Sequence, residues 1–239
     1  MSQAQHSPEL ATRPQPDSET PLHQDEVQLH NTERSWYVYA ATLLPEDRGN
    51  QSWVDLGCGQ GEFLDLGEAS SLRGIGLDYN PSNAKANHAK RPALLADLNR
   101  YLPFGDASLD GASLIEVIEH VIRAEELAAE IARVLKPGGW LILTTPNIAH
   151  ISYRWKAVLG RPPKQEGYHY RFFTQALLEK TLKQAGFRIS ARASYGNSLL
   201  RTKLARLFGA GRKARVRYRV PAALEALLAR HFVWRLERI

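Results

Sequence analysis

The sequence predicts an α/β fold, a doubly wound and mostly parallel sheet with helices on both faces. Two observations predict this fold. Short apolar strands alternate with helical segments from residue 53 to residue 146, a pattern typical of parallel sheets covered on both sides. A glycine-rich bend, "GCGQG" at residues 57–61, directly follows the first strand. Glycine at such a bend permits positive φ and close approach of a ligand to the backbone.

Length and composition indicate one soluble globular domain with shorter additions. The chain has 239 residues, of which 44% are hydrophobic and 23% charged, which excludes a wholly disordered chain. No apolar run approaches the roughly 20 residues that a membrane span needs, and the first residues do not have the pattern of a secretory signal. We therefore expect a cytoplasmic protein. Cys58 is the single cysteine, so an internal disulfide is excluded.

The elements follow one another along the chain as a main domain with a segment on either side. Residues 1–30 have the composition of a disordered leader, and residues 31–198 are expected to form the domain, beginning with a helix at 31–44. Strands are predicted at 53–56, 74–78, 93–97, 109–117, 140–146 and 187–194, and helices at 61–70, 80–91, 124–135 and 174–187. Residues 199–239 are predicted to be a basic amphipathic C-terminal extension.

Four predicted strands end in acidic residues. These residues are Asp55, Asp78, Asp97 and Glu116. Ligands of doubly wound sheets bind at the carboxyl ends of the strands, so the chemistry is expected at this edge.

The glycine bend and the acids around it favour a nucleoside ligand without phosphate. The spacing is G-x-G-x-G, whereas pyrophosphate-binding bends have G-x-G-x-x-G, and Asp55 beside the bend suits an ammonium group. Asp78, at the end of the second strand, occupies the position where an acid binds ribose hydroxyls. Asp97 suits an exocyclic amine, and Leu98 suits the face of an aromatic ring. S-adenosylmethionine combines an amino group, a ribose and an adenine. The alternative is a structural glycine turn in an unrelated sheet enzyme.

Successive motifs resemble those of class I S-adenosylmethionine-dependent methyltransferases, within the broad set that includes ubiquinone-pathway O-methyltransferases and enzymes of glycan and natural-product clusters. The motifs, between residues 36 and 189, are "VDLGCGQGEF", "GIGLDYNP", "ADLNRYLPFGDASLD", "IEVIEHV", "RVLKPGGWLILTTPN" and "HYRFFTQALLEKTLKQAGF". The resemblance implies a Rossmann-like fold and a donor site. In that site Asp55, Gly57, Cys58, Gly59 and Gly61 hold the methionine end, Asp78 binds the ribose, Tyr79, Asp97 and Leu98 surround the adenine, and Glu116 lies close to the sulfonium.

The segment "EVIEH" leaves three roles open. His120 is a candidate general base, with His169 as a second acid/base candidate, because imidazole titrates near neutral pH. Glu116, Glu119, His120 and His169 could instead gather around Mg²⁺ or a similar ion, with Glu119 and His120 as the primary ligands. This spacing resembles the metal motif of small-RNA 3′-terminal 2′-O-methyltransferases. In the third role Glu119 and His120 cap the next helix or pair with Arg123.

Residues 148–173 form a predicted insertion that we call the lid. It combines aromatic with basic side chains, which suits an acceptor with a flat or sugar body and a negative group. In the alternative, the aromatic residues are only the core of a short lid. His150 and His169 of the lid are further acid/base candidates.

The basic segment at residues 201–219 holds eight Lys or Arg and no acid. It is either a solvated surface or a surface that contacts phosphates, anionic lipid or an acidic glycan. Its apolar residues Leu204, Leu207 and Phe208 could pack on the domain, form a dimer contact or lie on an anionic membrane surface. Either a monomer or a homodimer is compatible with the sequence.

The expected reaction is transfer of the sulfonium methyl group to an oxygen, or less favourably a nitrogen, of a small-molecule, glycan or lipid-linked acceptor. Two other functions are weighed against it. One is a metal-dependent RNA 2′-O-methyltransferase, disfavoured because "GYHYRFF" offers one histidine where those enzymes are histidine-rich. The other is a non-catalytic module that binds S-adenosylmethionine.

Overall fold

The computed structural model describes residues 35–45, 51–68, 72–162, 169–197 and 217–239. Within these residues nine strands form one sheet: β1 Ser52–Leu56, β2 Arg73–Asp78, β3 Ala93–Leu95, β4 Leu109–Ile115, β5 Leu135–Pro146, β6 Phe187–Arg192, β7 Tyr195–Asn197, β8 Arg217–Arg219 and β9 His231–Arg238. The helices are α1 Ser35–Ala41, α2 Glu62–Glu68, α3 Pro81–His88, α4 Ala124–Val134, α5 Ile151–Val158, α6 Gln175–Gln184 and α7 Glu225–Leu228. None of the helices described is long and apolar enough to cross a bilayer.

The strand order is β3-β2-β1-β4-β5-β9-β7-β8, with β6 also paired to β9. Strands β1 to β5 pair with one another in parallel, which confirms the doubly wound α/β prediction for the first half of the chain. The carboxyl ends of parallel strands lie at the same edge of the sheet, so Asp55, Asp78 and Glu116 come together at that edge.

The C-terminal strand differs from the prediction that residues 199–239 form an extension outside the domain. β9 pairs antiparallel with β5 over seven residues, from Trp140 opposite Glu237 to Pro146 opposite His231, and on its other side it pairs with β6. It is thus an interior strand of the sheet. The register places the start of β9 beside the carboxyl end of β5, the edge where ligands bind.

The burial of β9 on both faces explains why the sequence pattern did not predict this strand. Phe232, Val233 and Trp234 are all buried, because this strand has packed side chains on both faces. A strand buried on both faces has no alternation of apolar and polar residues. The amphipathic pattern that predicted an extension therefore does not describe this segment.

Several element ends also differ from the predictions. β3 ends at Leu95 instead of 97, and β4 ends at Ile115 instead of 117. β5 begins at Leu135, five residues before the predicted strand, because the "KPGG" segment continues into it. The lid contains the helix α5. The leader at 1–30, lid residues 163–168 and the three apolar residues at 204, 207 and 208 lie outside the described residues.

Glu225 joins the C-terminal segment to the sheet from a fully buried position. Its carboxylate accepts hydrogen bonds from the Ser194 hydroxyl, from Trp234 Nε1 at 2.7 Å and from the Arg192 guanidinium. Arg192 also lies over the Trp234 ring, 4.8 Å from its centroid. A buried carboxylate with this many donors stabilises the fold mainly because its loss would leave them unpaired.

We expect Glu225→Ala to lower the free energy of unfolding by about 3 kcal/mol, since it leaves the buried Ser194 hydroxyl and Trp234 indole N–H without their acceptor and leaves Arg192 with Glu179 alone. Urea unfolding measures the change. Glu237→Ala is the matched control, because the Glu237 pair with Arg188 is solvent-exposed and its loss is expected to cost less than about 1 kcal/mol. Equal losses in the two variants would contradict this account of Glu225.

Candidate functional site

The bend after β1 is a left-handed turn that requires glycine. All three of its glycines have positive φ: Gly57 at 73°, Gly59 at 53° and Gly61 at 89°. A Cβ added at Gly61 would lie 2.1 Å from Asn87 Oδ1. The N–H groups of Gly57 and Cys58 both donate to Leu77 O, at 2.7 and 3.0 Å. The bend is therefore held against the end of β2 and packed on α3.

Asp78 closes the bend from the adjacent strand. Its Oδ2 accepts a hydrogen bond from Gly59 N at 2.9 Å, and its Oδ1 accepts one from Asn80 N at 2.8 Å. From α3, Asn87 Nδ2 donates to Gly59 O at 2.7 Å. A carboxylate oxygen has more than one lone pair, so Asp78 can brace the bend and still accept from ligand hydroxyls. Its role toward a ribose stays a prediction.

The sequence suggested that Asp55 is an anion beside the bend. In the structure Asp55 lies beneath the bend and is buried. The residue is only 3% exposed, and its Oδ1 accepts a hydrogen bond of 2.5 Å from Ser113 Oγ. Burial raises the pKa of Asp55 to about 7, and the Glu62 and Asp78 carboxylates add to this rise. Asp55 is therefore only partly ionised at neutral pH, and its contact with a ligand ammonium group stays a prediction.

The Cys58 side chain faces away from the strand edge, toward α3. Its Sγ is buried and lies 3.6 Å from Asn87 Nδ2. Burial raises the pKa of the Cys58 thiol far above its usual range, and the nearby Asp55 and Asp78 add to this rise. The thiol is thus an inert packing group, and the predicted contact of Cys58 with a donor would have to come from its backbone.

The residues predicted to surround an adenine lie after β2 and β3. Tyr79 is 78% exposed, and Leu98 is buried. Asp97 Oδ1 accepts hydrogen bonds from Asn99 N at 2.9 Å and Asn99 Nδ2 at 3.0 Å, and these bonds hold the pKa of Asp97 below its usual range. Asp97 is therefore an anionic acceptor at neutral pH, as an adenine amine would require.

Glu116 ends β4 in a strained conformation, with a φ of 56°. A non-glycine residue adopts this region only when its surroundings enforce it. Glu116 N donates to Thr144 O at 3.1 Å and to Thr144 Oγ1 at 2.9 Å, and Thr144 Oγ1 lies 2.7 Å from Glu116 Oε1. The strain directs the carboxylate toward β9, and Oε2 lies 3.2 Å from His231 Nε2.

His231 is a site residue that the sequence reasoning missed. Besides Glu116, it contacts the Tyr195 hydroxyl, 2.9 Å from Nδ1, and the Trp36 ring, with centroids 5.1 Å apart. It is the first residue of β9, opposite Pro146. Only the pairing of β9 with β5 brings His231 to Glu116, and that pairing has no local signal in the sequence.

Glu119, His120 and His169 come together, as the metal alternative predicted, whereas Glu116, its fourth predicted ligand, is not in this group of described residues. Each offers a ligand atom, and these atoms all lie within 4.8 Å of one another. The Glu119 carbonyl accepts hydrogen bonds from Tyr170 N at 2.9 Å and Arg171 N at 3.0 Å. These two bonds fix the lid segment beside the turn at 118–120. We call these three side chains the Glu119 cluster.

Glu119 itself is almost completely buried, with 1% exposure. Its Oε2 accepts a hydrogen bond from Thr145 Oγ1 at 2.9 Å, whereas its Oε1 has no hydrogen-bond partner among the described residues. Burial raises the pKa of Glu119 well above its usual range, and the Glu116 carboxylate contributes to this rise. A buried acceptor without a donor is costly unless a ligand or ion completes it.

The capping form of the structural alternative for the "EVIEH" segment is wrong, because the helix α4 begins without a side-chain hydrogen bond at its N-terminus. Arg123 pairs with Glu126 at 3.1 Å, and its pairing with Glu119 or His120 stays a prediction.

A cleft opens beside the Glu119 cluster, at the carboxyl end of β5. Its described lining residues are Glu119, Pro146, Ile148, Tyr153, His169, Arg171, Phe172, Arg230 and His231. The lid and the C-terminal strand thus both line the cleft, which places the predicted acceptor region beside Glu116 and the strand edge.

His150 is not suited to the acid/base role that the sequence allowed. It is buried, and its Nδ1 accepts a hydrogen bond of 3.2 Å from Ser152 N at the start of α5. Burial lowers the pKa of His150 to about 4, and the charges of Arg230 and His231 add to this effect. His150 therefore serves as a neutral helix cap.

Comparisons with known proteins agree on one family. The profile of a family described as a methyltransferase domain matches residues 29–191. The chain is 33% identical over 142 residues, 57% of its length, to a Mycolicibacterium smegmatis protein named "Probable S-adenosylmethionine-dependent methyltransferase", of which it covers 51%. It is 32% identical over 124 residues to a 24-methylenesterol C-methyltransferase of Oryza sativa, covering 48% of this chain and 31% of that protein. The chain thus spans about half or less of the length of these curated relatives.

A solved structure supports the fold. It is the crystal structure of an S-adenosylmethionine-dependent methyltransferase from Archaeoglobus fulgidus, with a TM-score of 0.63 at 19% identity, covering 84% of this chain and 92% of that one. At this identity the likeness concerns the fold alone.

Asp55 is expected to make stability depend on pH. The unfolded chain releases this proton near pH 4 and the folded protein near pH 7, so the folded state holds the extra proton in between and stability falls as pH rises. We expect Asp55→Asn, which keeps an acceptor for Ser113, to match wild type near pH 4 and to be more stable by roughly 3 kcal/mol above pH 7. Urea unfolding of both proteins across this range measures the difference, and a difference that does not change with pH would contradict the assignment.

Proposed function

The chain belongs to the methyltransferase-domain family, whose relatives are named as S-adenosylmethionine-dependent enzymes, and from that premise we propose that it transfers the methyl group of S-adenosylmethionine to an oxygen of a small-molecule, glycan or lipid-linked acceptor. A nitrogen acceptor is the less favoured form of the same reaction. The observation that carries the proposal is the position of the Glu119 cluster beside a cleft at the strand edge.

The residues around the bend fit this donor. The turn presents backbone at Gly59, where an added Cβ would meet only Glu62 Oε2 at 3.6 Å, and Asp78 supplies acceptors for ribose hydroxyls. Arg91 approaches the bend, but its guanidinium is already paired with Asp65 and Glu68. Arg91 is therefore not available to neutralise a pyrophosphate at the bend. When bound, the donor supplies an electrophilic methyl group on a sulfonium.

The protein's contribution is to hold the acceptor in line with that methyl group and to remove its proton. The walls of the cleft hold the acceptor and keep water from the reacting atoms. His120 is exposed and His169 is half-buried, and their rings lie 4.7 Å apart between centroids. Either imidazole is a candidate to accept the proton of the acceptor hydroxyl. His120 is the primary candidate.

The polarity of the cleft favours an oxygen over a carbon acceptor. The plant relative is named as a sterol C-methyltransferase, and a sterol has an extended apolar body. The cleft described here is lined by Glu119, two histidines and two arginines. Burying so many polar groups against a sterol skeleton would be costly. A polar acceptor that hydrogen-bonds with them is the better match.

A divalent metal at the Glu119 cluster is a second candidate arrangement within the same reaction. Glu119 Oε1 lacks a hydrogen-bond partner within the described ranges, and the two imidazoles lie close enough to complete a site with it. One carboxylate and two imidazoles suit Mn²⁺ or Zn²⁺ better than Mg²⁺, which prefers oxygen ligands. In this arrangement the cluster would bind and orient the acceptor oxygen through the ion.

Asp78→Asn is expected to weaken binding of S-adenosylhomocysteine by at least about tenfold, because a ribose hydroxyl loses its charged acceptor. Isothermal titration calorimetry measures the affinity. Asp106→Asn is the control, since Asp106 is exposed and paired with Arg133 far along the chain from the bend. An unchanged affinity in a folded Asp78→Asn protein would refute the ribose assignment.

The general-base and metal-site hypotheses for the Glu119 cluster predict different outcomes for methyl transfer, EDTA treatment and melting temperature. If the cluster acts as a base, His120→Ala lowers methyl transfer by roughly a hundredfold or more with unchanged S-adenosylhomocysteine affinity. EDTA then has no effect. If it binds a metal, Mn²⁺ or Zn²⁺ raises the melting temperature of wild type and not of Glu119→Gln.

Transfer is measured with radiolabelled S-adenosylmethionine and a small-molecule cell extract as the source of acceptor. Full transfer by His120→Ala, together with metal-independent melting, would contradict both arrangements.

A further inference from the structure

The two arginines of the cleft have different electrostatic surroundings. The Arg171 guanidinium is neutralised by the Glu125 carboxylate, and its Nε donates to Ile122 O at 3.2 Å. Arg230 directly precedes β9 in the C-terminal part of the chain. Among the described residues its guanidinium has neither an ion pair nor a hydrogen bond with a protein group. The Arg171 guanidinium is thus already paired within the protein, whereas the Arg230 guanidinium is available to pair with a ligand.

The backbone of Arg230 is held firmly although its side chain is unpaired. Its N–H donates to Tyr195 O at 2.9 Å, and its carbonyl accepts from Asn147 N at 2.9 Å. The flanking Ala229 is fully buried, and the Asn147 side chain donates to Ala229 O at 2.9 Å. These bonds fix the backbone position from which the Arg230 side chain reaches the cleft.

The neighbouring groups do not neutralise Arg230. The Glu116 carboxylate is engaged by His231 and Thr144, and Glu225, which precedes Arg230 in the chain, is engaged by Arg192, Ser194 and Trp234. His150, whose pKa the Arg230 charge helps to lower, is neutral. A half-buried guanidinium without a counter-charge is unfavourable, and a bound anion would relieve it.

The other residues that line the cleft indicate the chemistry of the part of the ligand that carries this anionic group. Tyr153 and Phe172 supply aromatic surface, and Pro146 and Ile148 supply apolar surface. Arginine binds carboxylates and phosphates through paired N–H donors, which gives orientation as well as affinity.

We propose that Arg230 is the anion-binding residue of the cleft and that the methyl acceptor carries a carboxylate or phosphate monoester on a body with an aromatic or apolar face. That the ligand is a methyl acceptor rests on the proposed function. The anion site itself rests on Arg230 and the cleft. Arg230 is thus a specificity-determining residue contributed by the C-terminal segment, and it lines the same cleft as Glu119 and His169.

The test uses the full chain saturated with S-adenosylhomocysteine at low ionic strength, so that the probes cannot occupy the donor site. Benzoate and phenyl phosphate are titrated by calorimetry against benzyl alcohol, a neutral probe of similar size. We expect at least one of the anions to bind about tenfold or more tightly than the alcohol. The stronger of the two anions identifies the group as a carboxylate or a phosphate.

The variant Arg230→Gln is expected to lose this preference and to keep the affinity for S-adenosylhomocysteine and the melting temperature of wild type. Arg188→Gln is the control, because Arg188 is exposed and paired with Glu237, and it should keep the preference. Equal binding of the alcohol and both anions, absence of binding by both anions, or an unchanged preference in Arg230→Gln would overturn the proposal. Failure of wild type to bind S-adenosylhomocysteine would instead contradict the proposed function.

Discussion

The left-handed bend after β1 is the constraint on which the rest of the site depends. Its N–H groups donate to Leu77 O and to Asp78, and its Gly59 carbonyl accepts from Asn87. Three elements, β1, β2 and α3, are therefore joined at one point by hydrogen bonds that need backbone of positive φ. Since a side chain at Gly61 would collide with Asn87, glycine is required for this packing as well as for the turn. The same closure places Asp78 at the strand edge beside the bend.

The second half of the site depends on a strand from the other end of the sequence. The pairing of β9 with β5 brings His231 opposite Pro146, where it meets the strained Glu116. Arg230, one residue earlier, reaches the cleft from the same connection. The proposed donor side is thus built from the first two strands, and the proposed acceptor side from the lid and the last strand.

Features of the site that depend on local sequence could be predicted. The bend, the acids at strand ends and the "EVIEH" segment each have their signal within a few residues, and the structure brings His169 to Glu119 as one alternative required. His231 and Arg230 could not be predicted, because their place depends on a register between strands about 90 residues apart. The positive φ of Glu116 and the burial of the Asp55 and Cys58 side chains depend on packing from β4, β5 and α3, which no local pattern encodes.

The central claim is that a donor on the glycine bend and an acceptor in the cleft meet at the end of β4. A crystal structure of the full chain with S-adenosylhomocysteine tests it most directly. The account predicts that the ribose hydroxyls lie within hydrogen-bond distance of Asp78, about 2.5–3.0 Å, and that the sulfur faces the cleft beside Glu116. A product bound away from the bend, or a sulfur separated from the cleft by protein, would contradict it.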